Sequence, residues 1–434
     1  MATGTSLSDV FPLGSRLNER GRLEVGGCDT IELAREFGTP AYVVAEDDLR
    51  SRARAFVAAG RNAGHDDFHV VFASKAFPCT AVLQLLAQEG LWCDAASGGE
   101  LHLALRAGFR PERIVLHGNA KSEAELRMAL RHRVGLIVLD NFDEIDRLEA
   151  LMTEGALGGA PSRDAVVEQP VLVRVTPGVQ GETHEKISTG QADSKFGFAM
   201  AQAAQALERV LGVDGLRLEG VHAHIGSQLL SLEPFRSAAA ELAKLGDFPV
   251  WDLGGGLGVR YTADQQAPPA IEEYVGAIVQ AAHSHGMGSD KRLLIEPGRA
   301  LSANAGVTLY TVESVKRNVS RWVAVDGGMS DNLRPMLYGA RYEAHVADRF
   351  DGCTECVLVG KHCESGDVIV RDALLEDPKP GDVIVTPATG AYGYAMADNY
   401  NGVCRPPVIF CRDGDARVVV RRESFEDLTA RDVL

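Results

Sequence analysis

Lys75 is the first residue whose type and position could serve chemistry. It closes an apolar run, Phe68 to Ser74, at the point where a buried strand would end. A lysine there is either a surface charge whose stem covers apolar atoms or a desolvated amine with a chemical task. Because most lysines keep their ammonium in water, position alone favours the surface charge. Whether Lys75 is a surface charge or a reactive amine therefore depends on the residues at the ends of the other strands.

Three consecutive glycines follow a later apolar run. Gly254, Gly255 and Gly256 carry backbone N–H groups that no side chain obstructs, so a phosphate could approach them closely. A turn that requires positive φ accounts for the same glycines without any ligand. The loop therefore predicts a phosphate site only in combination with other residues.

An acid and a histidine lie near further apolar runs. Glu296 and Arg299 come just after Leu293–Ile295, where an unpaired carboxylate would be costly. One interpretation is a buried ion pair between the two residues. The other is that a pyridine ring binds here and Glu296 keeps its ring nitrogen protonated. His224 is either a buried core histidine or a flat ring against a flat cofactor. A lysine, a glycine loop and an acid are together the parts that hold pyridoxal 5′-phosphate, which predicts that cofactor.

The order of apolar and amphipathic segments predicts the fold that would bring these residues together. Short apolar runs alternate with segments that have apolar residues at three- and four-residue spacing, which indicates strands alternating with helices. Eight such repeats are typical of a closed parallel (β/α)₈ TIM barrel, whose active site lies where the strands end. The predicted strands are Phe68–Ala73, Leu91–Asp94, Ile114–Leu116, Leu136–Leu139, Val171–Val175, Leu218–His222, Val250–Leu253 and Leu293–Ile295.

Polar or glycine-rich residues come at the ends of seven of these strands. They are Lys75, Asp94, His117, Arg174, His222 with His224, Gly254 to Gly258, and Glu296 to Arg299. The segment from Gly178 to Phe198 is long, polar and without helical periodicity, which is typical of a functional loop. We therefore expect one site at the mouth of the barrel.

A second domain is predicted after about Tyr310, where short β-rich segments alternate with turn sequences such as Lys379-Pro-Gly-Asp382. Arg22–Val25 and Ala41–Val44 are additional candidate strands, which either complete this domain or cap the barrel. We predict a barrel over residues 46–310 and a mainly antiparallel β domain formed by residues 1–45 and 311–434.

The composition restricts the class of protein. The chain has 434 residues, of which 45% are hydrophobic, enough for a large core and two domains. Sixty acidic residues against 44 basic ones give a formal charge of −16, which argues against binding to nucleic acid or to anionic membranes. No segment approaches about 18 consecutive apolar residues, and no basic leader precedes an apolar stretch. We expect a cytoplasmic protein.

The eight cysteines suit a reducing compartment, and most are expected to be small apolar core residues. Cys353 and Cys356, followed by His362 and Cys363, have a spacing that could collect zinc or exchange thiols. The run that starts at Cys356 alternates like a strand, however, and would point successive side chains to opposite faces. We therefore expect no metal site.

With these motifs, the sequence resembles the fold-type III pyridoxal-phosphate decarboxylases over nearly its whole length. The resemblance is carried by Val71-Phe-Ala-Ser-Lys-Ala-Phe77, Asp94-Ala-Ala-Ser-Gly-Gly-Glu100, His184-Glu-Lys-Ile-Ser-Thr-Gly190, Asp193-Ser-Lys-Phe-Gly197, His222-Ala-His-Ile-Gly-Ser227, Gly254-Gly-Gly-Leu-Gly258, Glu296-Pro-Gly-Arg299, Asp326-Gly-Gly-Met-Ser-Asp-Asn-Leu-Arg-Pro335, Cys363-Glu-Ser-Gly-Asp367 and Gly390-Ala-Tyr-Gly-Tyr-Ala-Met396. The barrel motifs are shared by decarboxylases of ornithine, arginine and diaminopimelate, so they imply the cofactor and the reaction. The implied fold is an alanine-racemase-like barrel with a β domain.

The resemblance implies a role for each matching residue. Lys75 would bind pyridoxal phosphate covalently, His224 would stack on its ring and Glu296 would bind its nitrogen. The remaining cofactor-binding residues would be Asp94, Ser227, Gly254, Gly255, Gly256, Arg299 and Tyr392. Cys363 would be a catalytic residue that handles a proton.

The segments outside the barrel imply the substrate. Arg334 with Tyr338, and Glu364 with Ser365, are similar to the pattern of family members that convert meso-2,6-diaminopimelate to L-lysine and CO₂, the last step of lysine biosynthesis. Arginine suits a bidentate grip on the distal carboxylate of that substrate, and Glu364 suits its ammonium. The substrate-binding set implied is Arg299, Arg334, Tyr338, Glu364, Ser365 and Tyr392.

In this family the segment Cys363 to Ser365 is supplied to the site of the other subunit, which implies a homodimer with shared sites. Two alternatives stay open. The chain could be a related decarboxylase acting on D-ornithine, D-lysine, arginine or a carrier-bound substrate, or it could be a non-catalytic pyridoxal-phosphate-binding barrel. The β-rich second domain and the Cys363–Glu364 segment argue against the non-catalytic barrel.

Overall fold

A computed structural model describes residues 7–155, 168–179 and 194–433 of the chain. These residues form two compact units. One unit comprises the described residues of Arg52–Gly258 together with Pro268–Arg299, and the other those of Met1–Ser51, Val259–Ala267 and Ala300–Leu434. The domain boundaries at residues 46 and 310 remain predictions, because compactness does not mark where an independent folding unit begins. Most of the polar segment predicted to be a functional loop, residues 180–193, lies outside the described residues.

The N-terminal segment forms a small antiparallel sheet and then enters the larger elements. Asp29 caps the first helix, because its side chain accepts a hydrogen bond from the N–H of Ile31 at 2.9 Å. The elements are β1 Arg16–Leu17, β2 Leu23–Val25, β3 Cys28–Asp29, α1 Thr30–Phe37, β4 Ala41–Ala45 and α2 Glu46–Asn62.

The barrel prediction is confirmed. The strands of this unit are β5 Phe68–Ala73, β6 Trp92–Ala95, β7 Ile114–Leu116, β8 Leu136–Leu139, β9 Gln169–Thr176, the short β10 Phe198–Ala199, β11 Leu216–His222, β12 Val250–Asp252 and β13 Arg292–Ile295. Eight of them are parallel and pair in the order β5, β6, β7, β8, β9, β11, β12, β13, and the barrel closes with β13 against β5. The helices are α3 Thr80–Gln88, α4 Gly98–Arg106, α5 Glu123–His132, α6 Phe142–Thr153, α7 Met200–Leu211, α8 Glu233–Leu242, α9 Ile271–Ser284 and α10 Arg299–Ser302.

Buried apolar side chains fill the barrel, among them Val71, Val115, Leu172 and Leu294. Because helices cover the outside of a parallel sheet, its strands are buried on both faces, which explains their continuous apolar runs.

Side-chain caps fix where barrel helices begin. The hydroxyl of Ser122 accepts a hydrogen bond from the N–H of Glu125 at 3.3 Å, and the Glu125 carboxylate accepts from the N–H of Ser122 at 2.8 Å. Asn141 accepts from the N–H of Glu144 at 3.0 Å in the same way. These caps satisfy N–H groups that would otherwise lack partners, so α5 and α6 start at fixed points after β7 and β8.

The predicted β domain is also confirmed, and N-terminal residues complete it. Its C-terminal elements are β14 Gly306–Arg317, β15 Arg321–Val325, α11 Arg334–Tyr338, β16 His345–Val346, β17 Thr354–Val359, β18 Val368–Leu375, β19 Val383–Thr386, β20 Val408–Arg412, β21 Asp415–Val420 and α12 Phe425–Thr429. Strand β4 lies between two of these strands in a sheet of order β18, β17, β15, β14, β4, β20, β21.

The central strand β14 was missed by the sequence analysis. It runs for twelve residues, but only its first half is buried, so its polar second half obscures the strand pattern. Val43, Leu309 and Ile409 lie in the core that packs against this sheet. No helix of the described residues is long and apolar enough to cross a membrane.

Candidate active site

Lys75 lies at the barrel mouth, in a single 3₁₀ turn, Ser74–Ala76, that follows β5. Lys75 is exposed, whereas its neighbours Ser74 and Ala76 are buried. Burial lowers the pKa of His224 and raises the pKa of Asp94; the positive charge of Lys75 adds to the first shift and opposes the second. The exposed lysine therefore lies close enough to these buried groups to act on their charges.

The carboxylate of Glu296 is held by two histidines. Its Oε1 lies 2.6 Å from Nε2 of His117, and its Oε2 lies 3.2 Å from Nε2 of His222. All three residues are buried, and the histidine rings meet edge to face with centroids 4.8 Å apart. Burial raises the pKa of Glu296, but the histidines outweigh it and hold that pKa well below its usual range. Glu296 is therefore ionised.

This arrangement decides between the two interpretations of Glu296 and Arg299. Glu296 pairs with histidines, and Arg299 instead donates from Nη2 to the hydroxyl of Ser227 at 2.8 Å. The interpretation of a plain Glu296–Arg299 ion pair is therefore wrong.

Two further buried carboxyl groups near Glu296, Asp252 and Asp94, have raised pKa values. Asp252, the last residue of β12, accepts a hydrogen bond from the N–H of Gly254 at 2.9 Å. Burial and the adjacent charge of Glu296 raise the pKa of Asp252 well above its usual range. Burial also raises the pKa of Asp94, to about 6, although His117 opposes the shift. Since neighbouring carboxylates disfavour joint ionisation, Asp252 keeps its proton and Glu296 carries the negative charge.

A buried ion pair fixes the loop that carries His117. The ammonium of Lys121 lies 2.9 Å from Oε1 of Glu144 and donates to the carbonyl oxygens of Gly118 at 2.6 Å and Val138 at 2.8 Å. Both charged side chains are almost fully buried. Because breaking such a pair would leave an uncompensated charge in the core, the loop after β7 is held rigidly next to Glu296.

The triple-glycine loop is packed tightly against its neighbours. Gly254 and Gly256 have φ values of 62° and 130°, which favour glycine. A Cβ on Gly255 would lie 2.0 Å from the carbonyl oxygen of Glu296. Both the backbone conformation and the close approach therefore require glycine here.

The N–H groups of this loop are less open than predicted. The N–H of Gly254 is bonded to Asp252, and that of Gly255 donates to Nδ1 of His224 at 3.1 Å. The N–H of Gly256 meets no acceptor among the described residues. The prediction of three open donors is thus wrong for two of them, and Gly256 is the remaining donor of the loop.

His224 is a neutral ring. Because its Nδ1 accepts the hydrogen bond from Gly255, its ring proton is assigned to Nε2. Burial, followed by the charge of Lys75, lowers the pKa of His224 well below its usual range. An uncharged, oriented imidazole is suited to packing against a planar ligand.

The predicted residue Arg334 lies in the other unit, at the first position of α11, and is 5% exposed. Its guanidinium carbon lies 4.5 Å from the ring centre of Tyr261, and its Nη1 donates to the hydroxyl of Tyr342. Tyr338 ends the same helix and is partly buried. Tyr392 has a φ of 62°, uncommon for a bulky side chain and typical of functional sites.

The three residues from Cys363 to Ser365 are exposed on the β domain. Two contacts hold this segment: Nδ1 of buried His362 lies 2.7 Å from Oδ2 of buried Asp367, and the N–H of Cys363 donates to Oδ1 of Asn401 at 2.8 Å. The thiol of Cys363 is therefore not part of the core. Its neighbour in the zinc-like spacing, Cys356, is buried within β17, as the strand pattern predicted.

Several groups here fit pyridoxal phosphate. The hydroxyl of Ser74 and Oδ1 of Asp94 are buried without a hydrogen-bond partner among the described residues, which leaves polar atoms for a bound molecule beside Lys75. Glu296 supplies an ionised acid and Gly256 an open N–H. His117, His222, Asp252 and Glu296 also have atoms within 4.8 Å of one another and could hold a metal ion, although the contacts of both histidines with Glu296 account for that spacing.

Comparison with known families agrees with this combination of barrel and site. A family model described as the pyridoxal binding domain of pyridoxal-dependent decarboxylases matches residues 47–303. The chain therefore belongs to the pyridoxal-dependent decarboxylases, and the prediction of pyridoxal phosphate as cofactor is confirmed.

Within this class the chain is similar to diaminopimelate decarboxylases. It is 46% identical to that of Bacillus subtilis strain 168, over 96% of this chain and 97% of the relative. It is 42% identical to that of Mycobacterium tuberculosis strain H37Rv, over 98% of both. The crystal structure of diaminopimelate decarboxylase from M. jannaschii in complex with L-lysine matches with a TM-score of 0.89 at 31% identity, over 97% of this chain and 98% of that one.

Three residues that complete these sites were not identified from the sequence. Asp252 could have been found from its position directly before the glycine loop. Tyr261 and Tyr342 carried no signal, because aromatic residues in loops are common and their shared partner, Arg334, lies elsewhere in the chain.

Proposed function

We propose that this protein decarboxylates meso-2,6-diaminopimelate to L-lysine and CO₂, the last step of lysine biosynthesis. The observation that carries the proposal is the similarity to diaminopimelate decarboxylases across almost the full chain, including the segments outside the barrel. A related enzyme for another amino acid would share the barrel motifs but not the whole second domain at this level of identity.

When bound, pyridoxal phosphate supplies an electron sink for the electron pair left behind by departing CO₂. We propose that Lys75 holds the cofactor through its amine and gives way to the substrate amine. Glu296, which His117 and His222 keep ionised, would hold the ring nitrogen and favour its protonated form. His224, a neutral imidazole, would pack against the ring.

We assign the phosphate to the groups that can donate to an anion. These are the N–H of Gly256, the hydroxyl of Ser227 and the guanidinium of Arg299, which already donates to Ser227. Asp94 and Tyr392 are proposed to line the same cofactor site.

The distal end of the substrate, with one carboxylate and one ammonium, needs charged partners. We assign the carboxylate to Arg334, with Arg299 and Tyr338, and the ammonium to Glu364, with Ser365 and Tyr392. A substrate that lacks the distal carboxylate would leave a buried guanidinium without its anion, which disfavours lysine and ornithine. Cys363 is proposed to handle the proton that replaces CO₂ on the carbon.

We also propose a homodimer in which the segment Cys363 to Ser365 completes the site of the partner subunit. Exposure of all three residues supports this, because catalytic side chains on a rigid surface segment need a partner to enclose them. A cytoplasmic location is proposed as well, since all eight cysteines are free.

Steady-state assays with meso-diaminopimelate, L-lysine and L-ornithine side by side test the substrate. We expect CO₂ and L-lysine from meso-diaminopimelate and little CO₂ from the other two. Release of CO₂ from ornithine but not from diaminopimelate would refute the substrate assignment. Cofactor binding without CO₂ from any amino acid would favour the non-catalytic barrel.

A further inference from the structure

We propose that Tyr261 and Tyr342 are positioning residues that hold Arg334 as a preformed receptor for the distal carboxylate of the substrate. The inference rests on the proposed function, which assigns that carboxylate to Arg334. It adds two residues that determine substrate specificity without touching the reacting carbon.

The three side chains form a compact group within one unit of the molecule, here named the arginine clamp: Tyr261, Arg334 and Tyr342. The guanidinium carbon of Arg334 lies 4.5 Å from the ring centre of Tyr261 and 5.5 Å from that of Tyr342. The tyrosine rings meet edge to face with centroids 5.1 Å apart and an interplanar angle of 71°. All three residues are buried.

Each tyrosine restrains a different property of the guanidinium. The ring of Tyr261 offers its negative face to the cation and restrains the guanidinium near that face. The hydroxyl of Tyr342 accepts a hydrogen bond from Nη1 and fixes the rotation of the group. A carboxylate binds arginine best through two parallel hydrogen bonds, so a restrained guanidinium favours that geometry before the substrate arrives.

The charges around Arg334 point to a ligand rather than to a structural role. Across residues 7–155, 168–179 and 194–433, the arginine makes no ion pair with a carboxylate; its electrostatic partners are tyrosines. A buried charge that serves only stability is normally paired with an opposite charge. Aromatic groups stabilise the cation without neutralising it, so an incoming carboxylate meets a full positive charge.

Substitutions at Tyr261 separate its ring from its hydroxyl. We expect Tyr261→Phe to keep the KM for meso-diaminopimelate within about twofold, because the ring face is retained. Tyr261→Leu should raise that KM about tenfold while kcat changes by less than about threefold. Tyr342→Phe, which removes only the hydrogen-bond acceptor, should raise KM by about threefold to tenfold.

A double-mutant cycle with Arg334→Met distinguishes positioning from general destabilisation. If the tyrosines act through the arginine, Tyr261→Leu and Tyr342→Phe should have little further effect on KM once Arg334 is replaced. The same fold-increase in KM in both backgrounds would overturn the proposal, as would an unchanged KM for Tyr261→Leu in the wild-type background.

Two controls complete the experiment. If Tyr261→Leu does not fold, judged by its melting temperature, the cycle with Tyr342→Phe decides the question alone. Wild-type assays come first: no turnover of meso-diaminopimelate refutes the proposed function. If the wild type turns over meso-diaminopimelate but the tyrosine and Arg334 substitutions have independent effects on KM, only the proposed positioning role of the tyrosines is refuted.

Discussion

The charged group around Glu296 at the mouth of the barrel and the arginine clamp handle a buried charge in opposite ways. Glu296 is surrounded by partners of its own: two histidines contact its oxygens, and Asp252 beside it retains a proton. Arg334 is surrounded by aromatic groups and makes no ion pair with an acid of the described chain. The first charge is fixed in place for every turnover, whereas the second is left for an anionic group to pair with.

This difference matches what each region has to do. The barrel group is proposed to serve the cofactor, whose ring nitrogen needs the same partner with any substrate. The clamp is proposed to serve the part of the substrate that differs between members of the class. Its charge has to remain unpaired until the correct carboxylate arrives, because only then does binding discriminate.

Loss of the cofactor anchor is the largest expected effect on the barrel side. Lys75→Ala should abolish covalent binding of pyridoxal phosphate, since no other amine takes its position after β5. The measurement is borohydride trapping followed by mass spectrometry. Because the residue is exposed, the melting temperature of the cofactor-free variant should stay close to that of the cofactor-free wild type. A trapped adduct that persists would mean that another lysine is the anchor.

Substitutions at Glu296 and Asp252 test whether the first residue is charged and the second protonated. Glu296→Gln should lower kcat/KM about 10²- to 10³-fold, because it removes the negative charge opposite the ring nitrogen. Asp252→Asn should cost much less, at most about tenfold, since an amide can replace a protonated carboxyl as a hydrogen-bond donor. Equal losses in the two variants would show that Asp252 is ionised, contrary to the direction of its pKa shift.

The unpaired charge of the clamp predicts a specific loss of substrate binding. Arg334→Ala should lower kcat/KM for meso-diaminopimelate by about tenfold to a hundredfold, mainly through KM, because a charge-assisted pair is lost. Covalent cofactor binding, measured by trapping at Lys75, should be unchanged. An unaltered KM would remove Arg334 from the substrate site.

The smallest effect expected is a pH dependence of stability from His222. Burial lowers the pKa of His222 from 6.5 to about 4, so between these values the unfolded chain binds a proton that the folded protein excludes. Stability from this group is therefore gained as pH rises from about 4 to 6.5. In cofactor-free protein, the rise in melting temperature over this range should be smaller in His222→Gln than in the wild type. Identical pH profiles would contradict the shift.

The fold was largely predictable because its signals are local. Strands Phe68–Ala73, Ile114–Leu116 and Leu136–Leu139 have the bounds predicted from their apolar runs. Strand β14 was missed because the solvent-facing second half of a long strand has no local apolar pattern. Of the site, Lys75 and Glu296 were predictable because both follow buried strands.

The sequence by itself determined the barrel, the β domain, the cofactor and the residues that end each strand, since periodicity and motifs are encoded in neighbouring positions. Only the tertiary structure decided the partner of each charge. His222 and Glu296 are 74 residues apart in the chain, and Tyr261 reaches Arg334 from a different loop. Such partnerships depend on how distant segments pack, and they decide whether a buried charge is neutralised in the fold or kept for a ligand.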